Sequence, residues 1–167
     1  IVGAAMNATP LGVWLLANTA PDTARVVIAG IAIAAFLLVL LPPRLHSKPG
    51  PVETLLTGLA AGVLTGFAAM PGPPVVPYYL RQTISAERAR ASMLLVFFGT
   101  AIAATLSSFL LGLISGPVLG LSILLFPAVL IGNWLGSKAF GRISERIWRT
   151  AVALILGLAG LSAVWRL

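Results

Sequence analysis

The stretch "GFAAMPGPPVVPYYL", residues 66–80, decides how this chain folds. Pro71, Pro73, Pro74 and Pro77, with Gly66 and Gly72, interrupt one of its most apolar segments. Proline has no backbone N–H and clashes with the preceding turn inside a helix, and it pushes the residue before it toward extended geometry. A continuous helix through Met70-Pro71-Gly72-Pro73 is therefore not expected. The spacing predicts a helix to about Ala69, an unwound link, and a half-helix from about Pro74 to Leu80. Pro73 and Pro74 suit a first helical turn, where the missing N–H would have been unpaired anyway.

The surroundings make that break consequential. Hydrophobic residues are 59% of the 167 and charged residues 9%, with a mean hydropathy of +1.03. A water-soluble domain needs about 25% charged residues. No Asp, Glu, Lys or Arg occurs in residues 1–21, 26–43, 54–80, 91–137 or 150–165. A bilayer-crossing helix needs roughly 20 apolar residues, so the chain reads as an all-α polytopic membrane protein. Runs such as "LLVFFGTAIAATL" do not alternate as barrel strands would. The eleven Lys and Arg against four acids sit in short connections, the pattern of the positive-inside rule; no basic helix or basic–aromatic surface points to nucleic acid. Absence of cysteine excludes disulfides, thiol catalysis and cysteine metal sites.

Elements are expected over roughly 1–17, 26–41, 52–80, 91–114, 118–136 and 150–166. Ser85, followed by Glu87 and Arg88, reads as a helix start, 115–117 as a tight turn, and Pro127 as a kink in the 118–136 helix. "GVWLL" at Gly12 and "GNWLG" at Gly132 share Gly-x-Trp-Leu. On that echo, residues 1–43 are the last two helices of a first repeat, 44–51 a Pro-rich linker and 52–167 a second repeat, as in secondary transporters. The opening on Ile1, with no charged leader, reads as a piece of a longer protein whose N-terminal portion carries its own glycine-rich break. Gly58, Gly62 and Gly66 stand four apart, the small-xxx-small pattern for close helix packing, and Gly132 and Gly136 repeat it.

Non-helical backbone at membrane depth persists only where it is buried in protein or lines a polar cavity. A half-helix start offers free N–H donors and partial positive charge to an anion, here from Gly72, Val75 and Val76. The plainer alternative is a proline-kinked helix that binds nothing. The segment "GLAAGVLTGFAAMPGPPVVPYYL" followed by "ERARASMLLVFF", with "PLGVWLL" and "IGNWLGSKAF", resembles the TauE/SafE sulfite exporter family over essentially the whole chain, about the C-terminal two-thirds of a member. Ala69 and Pro71 stand where that family usually has glycine, which removes one N–H donor. The resemblance implies a permease or exporter for sulfite, sulfonates or related organic anions. It places Met70, Gly72, Pro73, Pro74, Val75, Val76 and Ser92 at the substrate, Ser92 matching a family Ser/Thr position.

No further chemistry is expected. Asp22, Glu53, Glu87 and Glu145 all fall at or beside connections, so no carboxylate lies inside a span to relay protons. His46 is solvated in the linker. No enzyme activity, cofactor or metal site is read here. Thr65, Thr100, Thr105, Ser107, Ser108, Ser122 and Asn133 read as structural, and Arg90 as a loop charge or an anion-steering one. The expected partners are a small anion, the lipid of a cell membrane and the N-terminal portion of the same protein, with a homo-oligomer left open; the rival reading is a non-transporting membrane scaffold. Loops 81–90 and 137–149 are expected in the cytoplasm whether 52–80 crosses once or is re-entrant.

Overall fold

The computed structural model describes residues 1–40 and 49–139. Among these the chain is helical with no strand: α1 (Val2–Ala17), α2 (Pro21–Leu40), α3 (Pro51–Ala68), α4 (Gly72–Leu80), α5 (Ala86–Leu110) and α6 (Gly116–Ala139). Helices α3, α5 and α6 are each long and apolar enough to cross a bilayer. The all-α polytopic class is thereby met. Most of the 44–51 linker with His46, the basic loop from residue 140 and the 150–166 helix lie outside the described residues.

Helix starts come earlier than the apolar runs suggest, because first turns carry charge. Pro21 opens α2, Asp22 lies in its first turn and Arg25 pairs with Asp22 at 2.7 Å. An acid there faces the positive end of the helix dipole. Ser85 caps α5 as its sequence position suggests, its hydroxyl accepting the Arg88 N–H at 3.3 Å. The turn expected at 115–117 sits slightly earlier, around Gly112 at φ +67, and Gly116 already belongs to α6. Pro127 lies inside α6, which is assigned as one helix.

The glycines of α3 set the packing. A Cβ on Gly58 would lie 2.8 Å from both the Ala4 Cβ and the Ile1 carbonyl oxygen. One on Gly62 would fall on the Ala5 carbonyl, and one on Gly66 on the Thr9 carbonyl. The partners advance together along both helices, so α1 and α3 run parallel. From the α1 side, a Cβ on Gly12 would strike the Val63 carbonyl and sit 2.9 Å from the Gly66 Cα. Lipid offers no hydrophobic drive between helices, so such close backbone approach supplies the attraction through dispersion. Helix α5 joins through Gly99, where a Cβ would meet Val2 and Met6 at 3.2 Å. The core closes around Ala5, Ala61, Val75 and Val96, flanked by Met93, Phe97 and Tyr79.

Polar side chains inside this bundle satisfy themselves. Thr9, Thr65, Thr100 and Ser107 are buried, and each hydroxyl donates to the carbonyl four residues earlier, as do those of Thr105 and Ser122. For Thr65, Thr100, Thr105, Ser107 and Ser122 these are the backbone bonds that a structural role requires. Helix α6 differs from the rest. Nothing in its membrane span is buried, and nothing comes within 4 Å of a Cβ on Gly132 or Gly136. The packing expected of that pair is absent among the described residues: small residues permit approach, but a facing small-residue helix must be there to approach. Its tie to the bundle is polar, the Arg90 guanidinium donating to Ser137 Oγ at 3.2 Å. Arg90 thus joins the start of α5 to the end of α6.

Candidate functional site

The break begins where α3 turns left-handed. Ala69 adopts φ 54, ψ 29, a conformation in which a Cβ crowds the following carbonyl. The turn is closed by the Ala69 N–H donating to Thr65 O at 2.9 Å and the Met70 N–H to Leu64 O at 3.3 Å. Pro71 then caps α4, which starts at Gly72, two residues before the expected Pro74. The shift has a simple cause. A helix leaves its first four N–H groups without internal partners, and at Pro71, Gly72, Pro73 and Pro74 three of those four do not exist. The half-helix needs no capping side chain, and none is present.

This start redistributes the expected donors. Gly72 keeps the one N–H of the opening turn, while Val75 and Val76 fall at the fourth and fifth positions, where N–H groups enter the helix ladder. The Val75 side chain is fully buried in the core, and the Met70 N–H is taken by the end of α3. Among the described residues, nothing lies within 4 Å of a Cβ built on Gly72. Beside it, Pro73 and Pro74 line an apolar crevice of about 290 Å³ with Leu64 of α3 and Ile31, Ala34 and Ala35 of α2. Every buried side-chain N or O among the described residues already has a hydrogen-bond partner. What the site offers an anion is therefore backbone: one N–H at a helix start, in low-dielectric surroundings that strengthen it.

Ser92 stands on α5 against Tyr79, with whose hydroxyl it interacts. Tyr79 is about 10 Å further along α4 than Gly72, at 1.5 Å per residue. Met70, Gly72, Pro73, Pro74, Val75 and Val76 are contiguous around the start of the half-helix, and Ser92 meets the Tyr79 side chain.

The chain also turns back on itself. Tyr78 Oη lies 2.9 Å from Thr54 Oγ1, and the Arg81 guanidinium is ion-paired with Glu53. The end of α4 thus meets the beginning of α3, so residues 51–81 fold back as a helical hairpin. Sequence reading missed these two contacts. They join residues far apart in the chain, and the only signal for them was the break, which permits a return without announcing its partners.

A multi-pass membrane bundle with a proline-started half-helix folded back on the helix before it is the class that these observations define. The model of the family described as "Sulfite exporter TauE/SafE" matches residues 1–163, and the chain belongs to that family. One relative, the "Probable sulfite/organosulfonate exporter TauE" of Cupriavidus necator, is 27% identical over 120 residues, which are 70% of this chain and 46% of the relative. The match thus spans less than half of that protein's length. No solved structure matches the chain.

Proposed function

We propose that this chain is the greater part of an anion permease that moves sulfite, sulfonates or related organic anions across a cell membrane, with the substrate held near the break at 70–77. The observation that carries the reading is the half-helix start at Gly72, where the described residues leave open space beside the Cα. Broken backbone placed there is retained where it lines a pathway, and a half-helix start favours negative charge. A single donor is a weak anion site, so the remaining ligands come from outside the described residues, in a portion of the protein related to this one as residues 1–43 are to 52–167. The work is transport rather than catalysis. In the membrane, the basic ends around 81–90 and 137–149 face the cytoplasm, and the Arg90–Ser137 contact keeps those ends together.

Uptake of radiolabelled sulfite and of an organosulfonate into proteoliposomes of the full-length protein tests this. Saturable uptake of either, competed by the other, is expected. Protein that reconstitutes fully yet moves neither is a scaffold, and the reading fails.

A further inference from the structure

We propose that Glu53 and Arg81, with the Thr54–Tyr78 hydrogen bond beside them, form a clasp that positions the half-helix α4; this rests on the transport reading above. Helix α4 has nine residues, short of the roughly 12–15 an isolated helix needs. Pro77 removes one of its few internal bonds, and only Val75 and Tyr78 along it are buried. Something beyond its own ladder must fix where it lies. At its start, the crevice toward α2 is apolar and gives no directional hold.

The directional contacts lie at the other end. Thr54 Oγ1 donates to the Gly50 carbonyl at 3.0 Å, so its one proton is used and the Tyr78 hydroxyl is the donor across the 2.9 Å contact. Arg81 folds back to place Nε 3.3 Å from the Pro77 carbonyl and reaches over to Glu53. Each charge also suits its own helix end: Glu53 lies in the first turn of α3 and Arg81 at the C-cap of α4. Both side chains are 37% exposed, where an ion pair contributes little stability but still fixes direction. The pairing also occupies the Arg81 cation, which therefore acts on the substrate by holding α4 and not by binding the anion.

Three variants of the full-length protein test this: Glu53→Gln, Arg81→Gln and the charge-exchanged double Glu53→Arg/Arg81→Glu. Each is also made with Val75→Cys to report, by maleimide labelling, whether α4 stays seated. The single changes are expected to speed the labelling of residue 75 and to lower transport by up to about fivefold, the most that loss of a half-exposed ion pair supports, at matched membrane level. The exchanged pair is expected to restore both the shielding and the transport, because it renews the contact with the charges reversed. Single variants that leave residue 75 shielded overturn the clasp. So does an exchanged pair that restores shielding but not transport, since Arg81 would then act directly on the substrate. The labelling decides the clasp even if the native protein moves no anion, so the two readings fail separately.

Discussion

Gly62 and Gly72 lie ten positions apart on either side of the break and do opposite things. Gly62 has no room at all: a Cβ there falls on the Ala5 carbonyl and sits 2.8 Å from the Ala8 Cβ. Gly72 has nothing within 4 Å. The first glycine is there so that two helices can touch, and the second stands at a place kept open. Identical residues in one short segment thus differ in packing, and the proposed difference in role can be tested by filling each in turn.

The largest effect is expected at Gly62. Gly62→Leu places a branched side chain against backbone that cannot move aside, and over-packing of this kind costs about 1–3 kcal/mol, occasionally more. With α1 and α3 forced apart, the full-length protein should lose its folded monodisperse form in detergent. Size-exclusion profiles and thermal unfolding check this. A Gly62→Leu protein as stable as the native one would mean that α1 and α3 do not meet in this register. Gly72→Leu should do the reverse, unfolding at the native temperature while transport falls to background, because the side chain occupies the only open N–H of the half-helix start. Transport is measured per molecule in the membrane, so that expression does not imitate chemistry. Normal transport by Gly72→Leu would leave the break as architecture alone.

The comparison also explains what the sequence made readable. The α3 glycine stripe was legible because its meaning is local: a spacing of four fixes one helix face whatever packs on it. The break was legible for the same reason, since Pro71, Pro73 and Pro74 forbid helix by their own covalent structure. Where the half-helix started was not. That depended on Pro71 taking the cap and Gly72 the first helical position, a choice between neighbouring prolines that propensity does not make. The grouping of Ser92 with Gly72 rested on resemblance, and geometry puts Ser92 beside Tyr79, because α4 returns along α3 and brings its far end to α5. Gly132 and Gly136 show the limit of a stripe: the pattern states that a helix may be approached closely, not that a partner is present.

That limit gives the next prediction, smaller and of opposite sign to the first. With open space at Gly132, Gly132→Ala should stabilise the protein by about 0.5–1 kcal/mol, the usual gain of alanine over glycine within a helix. Destabilisation would show that in the intact protein another helix lies against α6 as α1 lies against α3. The same measurement, thermal unfolding of the full-length protein, reads both outcomes.

The smallest effect concerns two helix ends that solve one problem with different residues. Helix α3 stops at Ala69 with φ 54, and α5 stops near Gly112 with φ +67, its turn closed by the Leu113 N–H donating to Ser108 O at 2.9 Å. An L-residue in this conformation costs about 1–2 kcal/mol, whereas glycine adopts it freely. Glycine in turn gives the unfolded chain more freedom, which offsets about 0.4–1 kcal/mol of the gain. Ala69→Gly should therefore stabilise by about 0.5–1 kcal/mol as the difference of these two terms, and Gly112→Ala should destabilise by a similar amount. At this chain length a change of about 1 kcal/mol moves the unfolding midpoint by roughly 2–4 °C, so the two variants should shift in opposite directions by resolvable amounts. If Ala69→Gly lowers the midpoint instead, the methyl group must contribute packing that outweighs its strain, and the left-handed end of α3 would be held by its surroundings and not merely tolerated by them.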